Sequence, residues 1–211
     1  MISLNHMNKK ILIELLLKYG IIKTNFKQPI TFKSGIKSPI YCNLRECSSY
    51  PDLMKIICEN FQELFKGVQL DGIVGIATGA IQHSTLLAYS MNLPSGYIRP
   101  DAKAKEYGLR NLIEGINPSG KRIGLIEDLV STGGSVLTGA EVLKKAGAGK
   151  IYIVSIFSYD MEKMKEEFAK NGLILQSIIT IHDLMPYLKI SLSFGDYKSI
   201  ENWVSDPEGW S

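Results

Sequence analysis

The stretch from Arg122 to Leu137, Arg-Ile-Gly-Leu-Ile-Glu-Asp-Leu-Val-Ser-Thr-Gly-Gly-Ser-Val-Leu, limits the fold of this chain more than any other. Ile123 to Ile126 is an apolar run bounded by charge, as a buried strand would be. Val136, Ala140, Leu143 and Gly147 follow at i, i+4, i+7 and i+11, one face of a helix. A second unit of the same kind lies upstream. There Ile73 to Ile76 reads as a strand, Ala77-Thr-Gly-Ala80 as a tight turn, and the residues after it as a helix to about Met91. Two strand–small turn–helix units predict parallel strands joined by crossover helices. The fold class is therefore α/β, with a central, mostly parallel sheet flanked by helices. Ligands of such sheets sit at the carboxyl ends of the strands, where both small-residue turns fall.

The two turns differ in chemistry. Ser131-Thr-Gly-Gly-Ser135 has little side-chain bulk, so its backbone N–H groups can converge, and the helix that follows adds positive potential. That combination seats a phosphate dianion. Glu127 and Asp128 precede it, and carboxylates would repel the phosphate, so they should face ribose hydroxyls or a metal held with them. A Gly-Gly pair alone would be no more than a tight turn; the acids, the hydroxyls and the helical continuation together give it a function. A nucleotide P-loop needs Lys after its last Gly, where this chain has Ser135. The spacing of Gly133, Gly134 and Gly139 is not that of a dinucleotide fingerprint.

Composition narrows the class. The chain has 211 residues, 45% hydrophobic and 21% charged, enough for one domain with a substantial core. A net charge of +3 argues for neither nucleic acid nor a membrane surface, although a basic site for a small polyanion is compatible with it. Cys42, Cys47 and Cys58 form no metal-ligand pairs and read as reduced thiols in a cytoplasmic protein. The early apolar run from Ile11 to Leu17 is broken by Glu14, so no signal peptide or membrane span is expected.

Along the chain, residues 8–19 predict an amphipathic helix with Ile11, Leu12, Leu15, Leu16 and Tyr19 on one face. Pro29 to Tyr41 predicts two short strands around a Ser-Gly turn, carrying Lys33 and Lys37; Arg45 follows, with a structural role expected. Pro51 suits the first position of a helix whose apolar face is Leu53, Ile56, Ile57, Phe61, Leu64 and Phe65. His83 should be structural. After the strand Gly96 to Arg99, residues 100–110 are polar, without apolar periodicity, and with Arg99 they gather Lys103, Lys105 and Arg110. A long loop of this kind is either solvated charge or a lid. Ile151 to Phe157 reads as a central strand, Met161 to Lys170 as an exposed helix and Leu173 to Ile181 as the last strand. His182 should cap or pack, and Asp206-Pro207-Glu208 reads as a helix start.

The segment Glu127 to Ser135 resembles the phosphoribosyl-pyrophosphate (PRPP) motif of type I phosphoribosyltransferases. Phe32-Lys-Ser-Gly-Ile-Lys-Ser-Pro39, Arg99 with its lysines, and Asn111-Leu-Ile-Glu-Gly115 look like orotate phosphoribosyltransferases, in the right order over most of the chain. The resemblance implies a type I phosphoribosyltransferase fold in a single domain, 1–211. A small N-terminal hood would cover about residues 1–50, a core about 51–190, and a C-terminal tail 191–211. It implies transfer of the phosphoribosyl group of PRPP to orotate in pyrimidine biosynthesis. PRPP would contact Lys33, Thr78, Gly79, Arg99, Lys103, Lys105, Glu127, Asp128, Leu129, Val130, Ser131, Thr132, Gly133, Gly134 and Ser135. Orotate would contact Phe32, Lys33 and Ser131.

Catalytic roles would fall to Arg99, Lys103, Lys105, Tyr107 and Asp128, with Mg²⁺ held mainly by PRPP and no direct protein ligand. The implied assembly is a homodimer in the cytoplasm whose loop 100–110 reaches the neighbouring active site; neither nucleic acid nor membrane is a partner. Two departures stand out. Pro100 and the Ala102-Lys-Ala-Lys105 repeat leave the loop register open between Lys103 and Lys105, with Tyr107 in one register replacing a histidine. The arginine that many relatives carry for orotate after the strand Ile151 to Phe157 is missing from Tyr159-Asp160-Met161. A purine phosphoribosyltransferase and a PRPP-sensing regulator of the same fold are the alternatives; the Phe32 to Pro39 stretch argues against the first, and the lack of a clear helix-turn-helix or basic recognition surface against the second.

Overall fold

The computed structural model describes residues 4–99 and 112–210, with side chains from residue 8 onward. A six-stranded sheet forms the centre. In chain order its strands are β5 (Gly72–Ile76), β6 (Ser95–Ile98), β7 (Ile113–Glu114), β8 (Arg122–Val130), β9 (Lys150–Ser158) and β10 (Leu175–Thr180). In space they run β10-β9-β8-β5-β6-β7, all pairs parallel except β6 with the short edge strand β7. Every residue of β5 is buried, as are Ile123 to Glu127 of β8 and Ile153 to Ser158 of β9, which is why these stretches are largely apolar runs with no alternation.

Helix α3 (Ile81–Ser90) carries β5 to β6, and α4 (Gly134–Lys145) carries β8 to β9. The two crossovers step in opposite directions across the sheet, so right-handed connections put their helices on opposite faces. Helix α1 (Leu4–Lys18) and helix α2 (Pro51–Leu64) share the face of α3, with α1 against α2 and β10, and α2 against α3, β9 and β10. The direction of stepping changes between β5 and β8, which lie side by side. A crevice opens at such a switch point.

Before the sheet, β1 (Ile22–Thr24) pairs with β4 (Ile40–Cys42), and β2 (Ile30–Thr31) pairs with β3 (Lys37–Ser38), both antiparallel. The second is the expected hairpin, with Gly35 at φ +89 in its turn. A 3₁₀ turn, Leu44–Ser49, then leads into α2, which starts with Pro51 as expected.

Several sequence expectations need correction. In α1 the buried residues are Leu12, Ile13 and Leu16, while Ile11 is 40% exposed, because this helix packs against both α2 and β10. Helix α5 (Glu162–Lys170) is charged on one side only: Met164 and Phe168 are buried. The last strand ends at Thr180, and a helix begins at once, α6 (Ile181–Ser191). Thr180 and Asp183 form a reciprocal capping box there, and Pro186 sits inside the helix. A further helix, α7 (Phe194–Ser205), follows with Ser193 as its cap. Asp206-Pro207-Glu208 starts no helix; it turns the chain after α7, with Gly209 N donating to Asp206 Oδ1 at 3.0 Å. Asp206 and Pro207 look like a cap and a first helical position, but here they serve the end of a helix whose interior had no strong periodicity. His182 neither caps nor packs: it is exposed, with Nε2 3.4 Å from Asp160 Oδ2.

Candidate active site

Strand β8 extends beyond its apolar run, so Glu127 and Asp128 are strand residues at its carboxyl end and not loop residues. Glu127 pairs in register with Ser155 of β9 and is only 6% exposed. Its Oε1 accepts from Asp128 N at 3.1 Å. Burial, then the Asp128 carboxylate beside it, hold the Glu127 carboxyl well above the usual range, and Arg45 works in the opposite direction. Asp128 is less buried, and its Oδ1 accepts from Leu129 N at 2.9 Å.

Beyond Val130 the chain turns through Ser131 to Gly133, and α4 begins at Gly134. Gly133 is the helix N-cap, at φ +79, with no side-chain cap. A Cβ there would lie 2.5 Å from Phe168 Cε1, so the turn rests directly on α5. A Cβ at Gly134 would meet nothing within 4 Å, so that side of the turn is open. An uncapped helix start beside open space offers N–H donors and the positive end of the helix dipole to an anion.

The turn after β5 lies alongside. Ala77–Thr78 is a cis peptide bond, and Ala77 N donates to Ile98 O at 2.8 Å. A Cβ on Gly79 would come within 2.0 Å of Asp128 Oδ2, so the second turn and the acid pair are packed against each other. A cavity of about 640 Å³ opens over both turns. It brings together Phe32, Lys33, Thr78, Gly79 and the whole run Glu127 to Ser135, all expected from the sequence to belong to one site.

Arg99 is not in that lining. Its Nη2 lies 2.7 Å from Glu114 Oε1 and donates to the Tyr97 hydroxyl at 3.2 Å, while that hydroxyl donates to Glu114 Oε2 at 2.6 Å. Lys103, Lys105, Tyr107 and the rest of loop 100–110 lie outside the described residues.

The sequence reading missed two contributors. Arg45, expected to be structural, lines the cavity. So does Tyr159, at the place where an arginine was sought. Its ring lies tilted against Phe32 at 5.1 Å and edge-on to Trp203 at 5.3 Å, and its hydroxyl donates to Ile40 O at 3.0 Å. Trp203 Nε1 donates to Lys37 O at 2.7 Å, so both rings fasten the β2–β3 hairpin over the end of β9. Asp160 turns away from the cavity, at φ +54, toward Lys165 Nζ at 3.1 Å. No signal in the local sequence marks Tyr159; only the return of α7 supplies Trp203 as its neighbour. Cys42 also lines the cavity, but burial pushes its thiol up to about 12, so it is no nucleophile. His83 is buried behind the second turn; burial lowers its pKa, which keeps it neutral.

A parallel sheet with an acid pair, a glycine turn and a second small turn at its switch point has the layout of a phosphoribosyltransferase. The family model for the phosphoribosyl transferase domain matches residues 48–189. An orotate phosphoribosyltransferase of Bacillus cytotoxicus is 36% identical over 208 residues, covering 96% of this chain and 98% of that one. The chain belongs to the phosphoribosyltransferase family and, within it, to the orotate phosphoribosyltransferases. Solved structures agree on the fold. A UMP synthase from Leishmania donovani matches with a TM-score of 0.79 and 27% identity over 92% of this chain, which spans only 42% of that longer protein. The orotate phosphoribosyltransferase of Mycobacterium tuberculosis H37Rv in complex with 5-phospho-α-D-ribosyl 1-diphosphate matches with a TM-score of 0.66, 21% identity and coverage of 84% of this chain and 98% of that one.

Proposed function

We propose that this cleft divides orotate phosphoribosyl transfer among its residues as follows. The chain transfers the 5-phosphoribosyl group of PRPP to orotate, giving orotidine 5′-monophosphate and pyrophosphate, a step in pyrimidine biosynthesis. The 5-phosphate sits on Ser131 to Ser135, at the uncapped start of α4. Glu127 and Asp128 hold the ribose hydroxyls, and their charge favours the oxocarbenium character that grows at C1 as the pyrophosphate leaves. Thr78 and Gly79 face the pyrophosphate. Orotate lies toward Phe32, Lys33 and Ser131, under the hairpin that Tyr159 and Trp203 hold down. Binding energy from the phosphate end, remote from C1, aligns N1 of orotate with the carbon it attacks. The single observation that carries this reading is the contact of the Asp128 carboxylate with Gly79, which makes the acid pair and the second turn one surface.

Two adjacent carboxylates at the cavity floor suit a divalent ion carried by substrate oxygens better than one caged by protein. Glu127 and Asp128 are the groups that would lie nearest to it. Mg²⁺ bound there supplies charge neutralisation of the departing pyrophosphate.

Arg99 lies outside its own chain's cavity, which supports a homodimer in which Arg99 and loop 100–110 serve the neighbouring subunit, with Lys103, Lys105 and Tyr107 acting on the leaving group. No helix among the described residues is long and apolar enough to cross a membrane, and we place the enzyme in the cytoplasm. The test is loss of orotate absorbance on mixing enzyme, orotate, PRPP and Mg²⁺. Pyrophosphate release with a purine base in place of orotate, and none with orotate, would overturn the assignment.

A further inference from the structure

We propose that Arg45 is a fixed cationic contact for the pyrophosphate group of PRPP, held in place by the helix that follows the Thr78–Gly79 turn. The proposal rests on the functional reading above and adds a residue to it.

Arg45 stands in the 3₁₀ turn Leu44–Ser49, between buried Leu44 and buried Cys47. Two side chains from the first turn of α3 reach this turn. Gln82 Nε2 donates to Arg45 O at 3.0 Å, and His83 Nε2 lies 3.3 Å from Leu44 O. Ser48 Oγ also donates to Arg45 O, at 3.1 Å. His83 is 2% exposed, and its ring nitrogens have no other use in the site: Nδ1 is buried without a partner, and Nε2 otherwise faces only Gln82 at 3.3 Å. The main chain at Arg45 is therefore fixed to the same helix whose start is the Ala77–Ala80 turn. A cation mounted this way keeps its distance to that turn as the substrate enters.

The side chain completes the case. Arg45 is exposed at the cavity mouth, and it lines the cavity together with Thr78, Gly79, Glu127 and Asp128. Two carboxylates in that wall would repel the many negative charges of PRPP. Of the described lining residues only Lys33 and Arg45 are cationic, and Lys33 is on the hairpin side with Phe32. Arg45 is tethered to the pyrophosphate side. Its planar fork of donors matches phosphate oxygens in a way a lysine does not. Its charge also opposes the burial of Glu127, so one guanidinium serves both the substrate and the acid beneath it.

Isothermal titration of the intact protein with magnesium pyrophosphate, PRPP, orotate and orotidine 5′-monophosphate tests this. In Arg45→Ala, affinity for pyrophosphate and PRPP should fall about 10- to 100-fold, the loss of a charge-assisted contact. Orotidine 5′-monophosphate, which has no pyrophosphate, should bind as in the wild type. Arg45→Lys should recover only part of the loss. Unchanged pyrophosphate affinity in Arg45→Ala would overturn the proposal. So would a fall confined to orotate and its nucleotide, which would put the guanidinium on the orotate carboxylate, or an equal fall for all four ligands, which would make Arg45 structural. A wild-type protein that fails to consume orotate with PRPP speaks against the functional reading itself, whereas the Arg45 result is read from binding.

Discussion

Asp128 Oδ2 lies where a methyl group on Gly79 would have to go, 2.0 Å from its Cβ position. The end of β8 and the turn after β5, about fifty residues apart in sequence, thus meet through the Asp128 side chain. Gly79→Ala should push the Asp128 carboxylate from its place while leaving the core strands intact. Turnover should fall about 10²-fold, the usual cost of an ångström-scale displacement of a positioning group. Steady-state kinetics beside circular dichroism would show this; wild-type turnover in a folded Gly79→Ala would remove the shared surface from the mechanism.

Glu127 is an acid held above its usual range by burial and by Asp128. A carboxyl whose folded pKa exceeds its unfolded one favours folding fully below the unfolded value, and that contribution declines as pH rises toward the folded value. At neutral pH the burial of this carboxyl is therefore a cost to the ligand-free fold. Glu127→Gln should raise the melting temperature at pH 7.5, with the gain shrinking toward pH 4, and should lower kcat/KM. An equal change in melting temperature at both pH values would contradict the burial argument.

Tyr159 donates to Ile40 O of β4 and packs its ring against Phe32 of the hairpin and against Trp203, which itself donates to Lys37 O. Tyr159→Phe keeps the rings, and Ile40 O still accepts from Ser38 Oγ at 2.8 Å, so it should cost only about 0.5–1.5 kcal/mol. Tyr159→Ala removes the rings as well and should cost about 3–5 kcal/mol, as large aromatic truncations in cores do. Chemical denaturation of both variants gives the comparison, and KM for orotate should rise more than KM for PRPP.

In loop 100–110, Lys103→Ala and Lys105→Ala should each reduce turnover, the more damaging by about 10²–10³-fold, as loss of one transition-state contact does. The larger effect identifies the register. Near-wild-type turnover in both would dispose of the loop's role.

Residues that touch near neighbours in sequence were the legible ones. The buried strands Gly72–Ile76 and Arg122–Val130, the two small turns and the helices after them follow from apolar runs and periodicity. The C-terminal helices were not legible. Ile181–Ser191 contains Pro186, which has no N–H to return to the carbonyl four residues back, and it begins without a loop after the strand. Arg45 was illegible for a different reason. Its exposure and its place in a short 3₁₀ turn carry no pattern, and its function depends on Gln82 and His83 reaching back to that turn.

What the sequence by itself determined is the kind of sheet and the chemistry at its edge, because strand burial, glycine turns and helix starts are local properties of a dozen residues. Only the tertiary structure decided which groups share the cavity. Asp128 against Gly79, Tyr159 beneath Trp203 and Arg45 beside Glu127 are encounters between segments far apart in the chain, and such distances are fixed by packing, which no local pattern records.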